Sequence, residues 1–304
     1  APAPAVSLAA TRGKPQTSPS VRKRSRELGV DLDTVPGSGP RGRITRDDLE
    51  AYASAGAQPV RGHAAAAGAP PSDAVETIKI IGLRRKIAEA MQRAKQRIPH
   101  FAYVEEVDVT ELEALRVHFN ELHGKTRGKL TVLPFLMRAV VKLRPRFPQI
   151  NATFDDDNNV VHRYAASHIG IATQTPGGLV VPVVRHAETL DLWSSASEIR
   201  RLAEAARNGK AKREELSGSS ITITSLGPMG GIVSTPVINA PEVAIIGVNK
   251  MVERPMIRNG AVVPRLMMNL SSSFDHRIVD GWDAAEFIQA IKSLLEHPAT
   301  LFVD

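Results

Sequence analysis

The sequence predicts a mixed α/β domain preceded by a small domain built only of helices. From about Val75, amphipathic helical segments alternate with short β-rich segments, without an internal repeat. Residues 16–53 contain two helical segments joined by a loop rich in Gly and Pro. Residues 1–15 and 54–74 have the Ala- and Pro-rich composition of linkers. We therefore expect a linker over 1–15, a small domain over 16–53, a flexible linker over 54–74 and the α/β domain over 75–304.

The composition excludes several classes of protein. The chain has 304 residues and no Cys, which excludes disulfide frameworks, thiolate metal sites and a cysteine nucleophile, and suits a reducing compartment. No apolar run approaches the ~18 residues of a membrane span. Of the net charge of +7, residues 1–62 carry +4, a pattern seen in binders of nucleic acid, anionic membranes or acidic proteins and equally in solvated helices. The Ala/Pro-rich start at Ala1 suggests a fragment of a longer protein.

Local signals justify each element of the small domain. A helix is predicted from Ser18-Pro19 to Leu28, with Gly29 ending it. Thr45, with Asp48 three residues later, predicts the cap of a second helix. The intervening GSGPRG matches a dinucleotide-binding pattern, but no strand–helix–strand unit surrounds it, so we expect a loop with positive φ angles.

Helix and strand signals then alternate through the α/β domain. The predicted helices cover 82–98, a segment opened by a capping box at Thr110–Glu113, 130–147, 191–208 with Asp191 as cap, and 282–296. The predicted strands cover 101–109, 150–154, 160–164, 168–173, 179–184, 220–224, 243–248 and 266–274. The aspartate-rich 155–159 resembles a calcium loop but lacks its glycine and terminal glutamate, so a hairpin turn is expected.

One constellation points to chemistry. An alternating strand leads into His276, Asp280 follows four residues later, and Gly281 begins a helix. An imidazole titrates near neutrality and can act as a general base when a carboxylate or carbonyl fixes its tautomer. A purely structural histidine is the alternative.

The segment FDHRIVDG resembles the D-H-R-x-x-D-G signature of the dihydrolipoamide acyltransferases, the core components of 2-oxo acid dehydrogenase complexes. RIPHFAYVEEVDVTEL, HIGIATQTPGGLVVPVV and ITITSLGPMGG fit the same family in order and spacing. SPSVRKRSRELGVDL, GSGPRGRIT and DDLEAY resemble its peripheral-subunit-binding domain. The resemblance thus covers almost the whole chain and both domains.

The resemblance implies a trimeric fold like that of chloramphenicol acetyltransferase, with active sites between subunits. An acyl group would pass from dihydrolipoamide to coenzyme A, a substrate, and the lipoyl group would be carried on an upstream domain outside this chain. His276 matches the family's general base. Thr224 stands where the family usually has a serine that donates to the oxyanion, with Ser225 as the fallback donor. Asp280 would hold the geometry through an arginine such as Arg84 or Arg85; no metal is implied.

The resemblance also implies partners. Ser20, Arg22, Arg26 and Arg43 match the positions that dock the decarboxylating dehydrogenase or the dihydrolipoamide dehydrogenase of the complex. The trimers would build a cubic core of 24 subunits, with the apolar residues of LLEHPATLFVD, Leu301, Phe302 and Val303, buried against another subunit. No nucleic acid or membrane partner is expected, and the bacterial cytoplasm is the implied compartment.

The acyl group is the least determined property. Segments such as LPFLMRAV and IKSLLEHPATLFVD look most like bacterial branched-chain complexes, and the acetyltransferase core of pyruvate dehydrogenase is the alternative. A non-catalytic scaffold is the alternative from another class, and the presence of His276 with Asp280 argues against it.

Overall fold

The computed structural model describes residues 15–55, 73 and 75–303. Internal contacts divide the chain into two units, Ala1–Thr77 and Ile78–Asp304. The predicted linkers over 1–15 and 54–74 lie outside the described residues, apart from residues 15, 54, 55 and 73. Within the described ranges, every helix falls short of the length and apolar character that a bilayer crossing requires.

The small unit contains two capped helices, α1 (Pro19–Leu28) and α2 (Arg46–Ser54). The Ser18 hydroxyl accepts from the backbone N–H of Val21, and Gly29, at φ 66°, ends α1 in the left-handed region. Thr45 and Asp48 form a reciprocal capping box at the start of α2. These caps were predicted correctly because each depends only on residues within one helical turn.

Among the described residues of the small unit, four buried apolar side chains form a core: Val21, Val35, Ile44 and Leu49. The loop that carries Ile44 is tied to the start of α1, because the Ile44 N–H donates to the Gln16 carbonyl. The GSGPRG loop has its predicted positive φ angles at Arg41 and Gly42, 61° and 75°. A core of this size supplies little apolar burial, so the small unit depends strongly on each member.

The second unit is the predicted α/β domain, and the predicted fold class is confirmed. Its helices are α3 (Gly82–Arg97), α4 (Thr110–Arg127), α5 (Leu133–Leu143), α6 (Leu192–Arg207) and α7 (Gly281–Glu296). Its strands are β1 (His100–Asp108), β2 (Ala152–Asp155), β3 (Val160–Arg163), β4 (Ile169–Ile171), β5 (Thr173–Thr175), β6 (Gly178–Val180), β7 (Val183–Val184), β8 (Ile221–Ser225), β9 (Ala244–Arg258) and β10 (Ala261–Asp275).

Six strands form one mixed sheet in the order β1-β10-β9-β8-β4-β7. β8 runs parallel to both of its neighbours, β9 and β4, and the other pairs are antiparallel. Alternate residues such as Ile221 and Ile223 enter the main core, which also contains residues of α5, α6 and α7. Ile245 belongs to a separate cluster that includes Ala94 of α3.

Several predicted strands and helices differ in extent from the structure. The predicted strand over 168–173 is two strands, because β4 pairs with β7 and β8 whereas β5 pairs with β6. The predicted strand over 179–184 is divided for the same reason. β9 and β10 extend as a long hairpin through residues 250–265, which the predicted strands over 243–248 and 266–274 did not include. The helix predicted over 130–147 is confined to α5.

The predicted capping box at Thr110–Glu113 is wrong. Val109 occupies the cap position without a side-chain bond, and Thr110 is already inside α4. The Asp108 carboxylate instead accepts from the N–H and hydroxyl of Thr110 and from Arg258 and Arg265 of the β9–β10 hairpin. Burial opposes ionisation, but these hydrogen bonds, led by Arg265, lower the pKa of Asp108 to about 2.

Candidate active site

His276 lies directly after β10, at the end of the strand pair formed with β1. Its backbone N–H donates to the Pro99 carbonyl at 3.2 Å. Its ring lies 4.5 Å from the ring of Phe101, centroid to centroid, and Phe101 in turn packs on the buried Phe274. The turn that follows is closed by the N–H groups of Ile278 and Val279 on the Asp275 carbonyl. His276 itself is exposed.

The residues on either side of His276 are joined by an ion pair. The Arg277 guanidinium donates to both oxygens of the buried Asp275 carboxylate, at 2.9 Å from Nε and 2.7 Å from NH2. Arg277 also bonds to Asp156, and Asp156 and Asp157 pair with Arg97 at the end of α3. Hydrogen bonding to Asp275 raises the pKa of Arg277. This chain of charges fixes the backbone of the histidine turn from one side. Sequence analysis missed it because Asp156 lies 121 residues from Arg277 and 59 residues from Arg97.

Asp280 occupies the position immediately before α7, four residues beyond His276. Its backbone carbonyl accepts from the Ala284 N–H, but its side chain does not cap the helix. In the described part of the chain no ion pair of Asp280 occurs, and Arg85 is engaged with Glu89. The predicted pairing with Arg84 or Arg85 is therefore not formed within one chain and stays a prediction for the assembled protein.

Thr224 and Ser225 end β8, on opposite faces of the sheet. The Ser225 hydroxyl accepts from the Gly227 N–H at 3.1 Å, where the chain turns with φ 56°. The half-buried Thr224 hydroxyl has no hydrogen-bond partner among the described residues. Of the two predicted donors, Thr224 is thus the one whose hydroxyl is uncommitted.

Thr224 and His276 are not brought together within one chain. Thr224 is paired across the sheet with Gly247, Gly247 is paired with Ser271, and His276 lies five residues beyond Ser271. With about 3.4 Å per residue and about 4.8 Å between strands, their Cα atoms are separated by roughly 15–20 Å. Two groups acting on one thioester must both lie within hydrogen-bonding distance of it. Within one chain, Thr224 and His276 are therefore too far apart to act on the same carbonyl.

The four predicted docking residues, Ser20, Arg22, Arg26 and Arg43, are all exposed. Ser20 and Arg22 belong to the first turn of α1, and Arg26 follows one turn later. Arg43 is brought beside that first turn because its neighbour Ile44 is bridged to Thr17. The fold thus gathers three of these side chains at one end of α1.

The prediction that the last residues are buried against another subunit needs one correction. Leu301 is already buried in the core of its own chain, and its carbonyl accepts from Arg138. Phe302 and Val303 remain 44% and 64% exposed. Contact with a neighbouring subunit therefore stays a prediction for Phe302 and Val303 alone.

A buried carboxyl was also missed by sequence analysis. Glu242, which precedes β9, is 1% exposed and accepts hydrogen bonds from Ser219, Thr222 and Asn239. Its partners come from two separate segments of the chain, so no local pattern marks it.

The fold places an exposed imidazole at the end of one strand and a hydroxyl at the end of another, which are group types that acyltransferases use. The model of the family described as 2-oxoacid dehydrogenases acyltransferase (catalytic domain) matches residues 72–303, and an e3 binding domain matches residues 15–50. The chain belongs to the family of 2-oxoacid dehydrogenase acyltransferases. The predicted family, and with it acyltransferase chemistry, is confirmed.

Two bacterial relatives illustrate the range of the family. The chain is 62% identical over 291 residues to the lipoamide acyltransferase component of the branched-chain alpha-keto acid dehydrogenase complex of Pseudomonas aeruginosa, covering 96% of this chain and 68% of that protein. It is 39% identical to the dihydrolipoyllysine-residue acetyltransferase component of the pyruvate dehydrogenase complex of Bacillus subtilis, covering 94% of this chain and 67% of that protein.

Two solved structures resemble the second unit closely. One is the Azotobacter vinelandii dihydrolipoamide acetyltransferase, described with the roles of a serine, a histidine and an asparagine in its catalytic mechanism (TM-score 0.73, 37% identity, 77% of this chain and 99% of that chain). The other is the cubic core of a pyruvate dehydrogenase multienzyme complex (TM-score 0.73, 38% identity, 77% of this chain and 99% of that chain).

Proposed function

We propose that this protein transfers a branched-chain acyl group from dihydrolipoamide to coenzyme A, as the core of a branched-chain 2-oxo acid dehydrogenase complex. The observation that carries the acyl specificity is the 62% identity to the Pseudomonas aeruginosa branched-chain component, against 39% for the pyruvate-type relative. The relatives are bacterial, and the cytoplasm is the compartment we propose.

His276 acts as the general base in this proposal. It takes the proton of the coenzyme A thiol as the sulfur attacks the thioester carbonyl, and Thr224 donates a hydrogen bond to the oxyanion that forms. The carbonyl then re-forms, the dihydrolipoamide thiolate leaves, and His276 returns the proton to it. Both sulfurs belong to the substrates, which agrees with a chain that has no Cys.

Residue spacing supports these roles. In the Azotobacter vinelandii enzyme, the serine named for catalysis precedes the histidine by 52 positions and the asparagine follows it by four. Thr224 precedes His276 by 52 positions and Asp280 follows it by four. Thr224 keeps the hydroxyl of that serine, and Asp280 replaces the asparagine with a carboxylate.

The separation of Thr224 from His276 supports a site shared between neighbouring subunits of a trimer. Apolar side chains at the start of the second unit, Ile78, Ile80, Ile81 and Leu83, are 45–73% exposed, as expected for a surface that another subunit covers. The similarity to a cubic core supports trimers that assemble into 24 subunits. The match of residues 15–50 to an e3 binding domain supports docking of dihydrolipoamide dehydrogenase or of the decarboxylating component.

Acyl transfer to coenzyme A, measured with acetyl-, isobutyryl- and isovaleryl-dihydrolipoamide, tests the acyl specificity. We expect the branched donors to have the higher kcat/KM, by about 10-fold or more, because a methylene in an apolar pocket is worth about 1–3 kcal/mol. A preference for the acetyl donor would instead assign the pyruvate-type activity.

Mixed assemblies test the shared site. His276→Ala and Thr224→Ala should each assemble with little activity. Trimers formed from both variants should recover activity, since some interfaces then contain one intact His276 and one intact Thr224. Inactive variants whose properly mixed trimers show no recovery would contradict the shared placement while leaving the two roles standing.

A further inference from the structure

Glu242 presents an unusual arrangement of hydrogen bonds. All three of its donors reach the same oxygen, Oε1: the hydroxyls of Ser219 and Thr222 and the amide of Asn239, the latter two at 2.8 and 2.7 Å. The other oxygen, Oε2, is buried and has no hydrogen-bond partner in the described part of the chain. Every donor is neutral, so no cation compensates a negative charge.

This arrangement suits a neutral carboxyl better than a carboxylate. An ionised group would leave charge on a buried oxygen that nothing solvates, which is costly. A protonated group carries its proton on Oε2 and no net charge, and although Oε2–H finds no acceptor among the described residues, an unpaired neutral hydroxyl costs less than an unpaired buried charge. Burial raises the pKa of Glu242 to about 7, against the three hydrogen bonds to Oε1, which by themselves favour the carboxylate.

The Glu242 hydrogen bonds act on β8, the strand that ends in Thr224. Ser219 lies just before β8, and Thr222 lies two residues before Thr224, on the same face of the strand. Thr222 is also confined from the opposite side. Its register partner on β4 is Gly170, where an added Cβ would lie 2.6 Å from the Thr222 hydroxyl oxygen. The contacts of Thr222 on both sides thus restrict the movement of β8 near Thr224.

We propose that Glu242, as a neutral carboxyl, is a positioning residue that holds β8 so that the Thr224 hydroxyl meets the reacting carbonyl. This inference rests on the proposed role of Thr224. Glu242 touches neither substrate nor Thr224, and it acts through Ser219, Thr222 and the backbone of β8. Ionisation of Glu242 would draw water toward Oε2 and loosen the strand.

Other charged groups face the same region and have to be separated from Glu242. A cavity of about 400 Å³ adjoins it and is lined by Arg93 and Arg97 of α3, the aspartates 155–157 and His162 of the β2–β3 hairpin, and Asp275 and Arg277. None of them bonds to the Glu242 carboxyl in the described residues. Because an imidazole can change charge in the neutral range, His162→Gln is the matched control for any pH effect.

Three variants test the proposal in the assembled protein. Glu242→Gln keeps the acceptor oxygen and places N–H donors where Oε2–H stands, so it mimics the neutral carboxyl. Glu242→Ala removes the acceptor and leaves its three hydrogen-bond donors unpaired. Thr222→Val removes a single hydrogen bond, and Thr175→Val, which removes the buried hydroxyl bond to the Gly178 carbonyl, is its control.

We expect Glu242→Gln to keep kcat within about twofold of wild type at pH 6. The ratio of the Glu242→Gln kcat to the wild-type kcat should rise as pH increases through about 7, because His276 acts as base in both proteins and its own pH dependence cancels, whereas the ratio of His162→Gln to wild type should stay constant. Glu242→Ala should lower kcat by about 10- to 100-fold with little change in KM for coenzyme A, because a small misplacement of a catalytic group is costly. Thr222→Val should lower kcat less, and Thr175→Val should not lower it.

Melting temperature gives a readout that does not depend on activity. Because the folded pKa is raised, the stability contributed by Glu242 is complete below its unfolded pKa and is lost as pH rises through about 7. Glu242→Gln should therefore gain melting temperature relative to wild type between pH 5 and 8.

Several results would overturn the proposal. Superimposable pH profiles of Glu242→Gln and wild type would do so, as would a Glu242→Gln variant as impaired as Glu242→Ala at every pH.

Thr224→Ala is measured in parallel. If Thr224→Ala is inactive and Glu242→Ala has normal kcat, only the positioning role fails. If Thr224→Ala is fully active, the proposed function fails first. If Glu242→Ala does not assemble, Thr222→Val with unchanged kcat overturns the role.

Discussion

The two units of this chain place their functional groups in opposite ways. In the small unit the candidate docking residues are exposed side chains around a core of four buried apolar residues. In the second unit His276 and Thr224 end strands of a six-stranded sheet with a large core, and each is held by its neighbours in the backbone. Each exposed charge contributes a small part of the binding free energy, whereas the displacement of a single catalytic group can abolish activity. We therefore expect binding by the small unit to depend on its folding stability and on salt concentration. We expect the activity of the second unit to depend on the positions of individual side-chain groups.

The largest expected effect is at His276. His276→Ala should lower kcat by at least ~10²–10⁴, because the thiol loses its general base. His186→Ala, which removes an exposed imidazole from a different part of the second unit, is the matched control and should keep its kcat. Steady-state kinetics on assemblies of verified size would show this, and near-normal turnover of His276→Ala would make the mechanism wrong.

Thr224→Ala should follow, with a loss of about 10²–10³ in kcat, or about 3–4 kcal/mol, and a small change in KM. Ser225→Ala is the matched comparison, since its hydroxyl already accepts from the Gly227 N–H. A larger loss in Ser225→Ala than in Thr224→Ala would move the oxyanion donor to Ser225.

The next effect separates the two units. Leu49→Ala should cost about 2–5 kcal/mol of folding free energy in the small unit, because Leu49 is fully buried in a core of four. Docking should be lost, while acyl transfer from free acyl-dihydrolipoamide to coenzyme A should persist. Leu28→Ala, at a 38% exposed position, is the control. Hydrogen exchange across residues 19–54 measures the unfolding, and joint loss of docking and acyl transfer would contradict the independence of the units.

Charge reversal tests the docking surface. Arg22→Glu combined with Arg43→Glu should weaken partner binding by at least about 10-fold, with a loss that shrinks as salt rises. Reversal of Lys23 to Glu changes charge on the same helix outside the predicted set and should cost less. Calorimetric titration at two salt concentrations measures both, and unchanged affinity of the double variant would remove Arg22 and Arg43 from the interface.

The smallest effect concerns a cap. Hydrogen bonds from Ser38 and Thr45 hold the pKa of Asp48 well below its usual range. The stability it contributes is present above the ordinary carboxyl pKa and is lost as pH falls through the lowered value. Asp48→Asn should therefore lower the melting temperature of the small unit at pH 7 by more than it does in acid. Equal decreases in melting temperature at both pH values would show that the effect comes from the hydrogen-bonding shape of the Asp48 side chain and not from its negative charge.

Sequence patterns predicted what depends on near neighbours. The caps at Ser18, Thr45 and Asp191 and the turn at 155–159 were predicted correctly because their hydrogen bonds close within a few residues. The cap at Thr110 was predicted wrongly because Asp108 is fixed by arginines about 150 residues away. The local pattern marked His276 as a candidate base, but the proposed role of Thr224 came from a family resemblance, since nothing local says that Thr224 and His276 belong to one reaction.

Glu242 is a buried residue that local sequence patterns did not predict. A glutamate in an apolar run suggests an exposed edge, but its three donors approach from Ser219, Thr222 and Asn239 and bury it. Glu242 is buried because β8 and the loop before β9 lie side by side, and the order of strands in the sheet determines that contact. The sequence contains no local pattern that predicts this contact.

The ion pairs that flank His276 have a consequence for temperature. Hydration of charged groups becomes less favourable on heating, so the cost of desolvating Asp275, Arg277, Asp156 and Arg97 falls while the benefit of apolar burial levels off. The histidine turn should thus loosen later on warming than parts of the site held by apolar contacts alone. Heat inactivation of this enzyme should begin at the subunit contacts or at β8, with the turn that carries His276 still in place when turnover is lost.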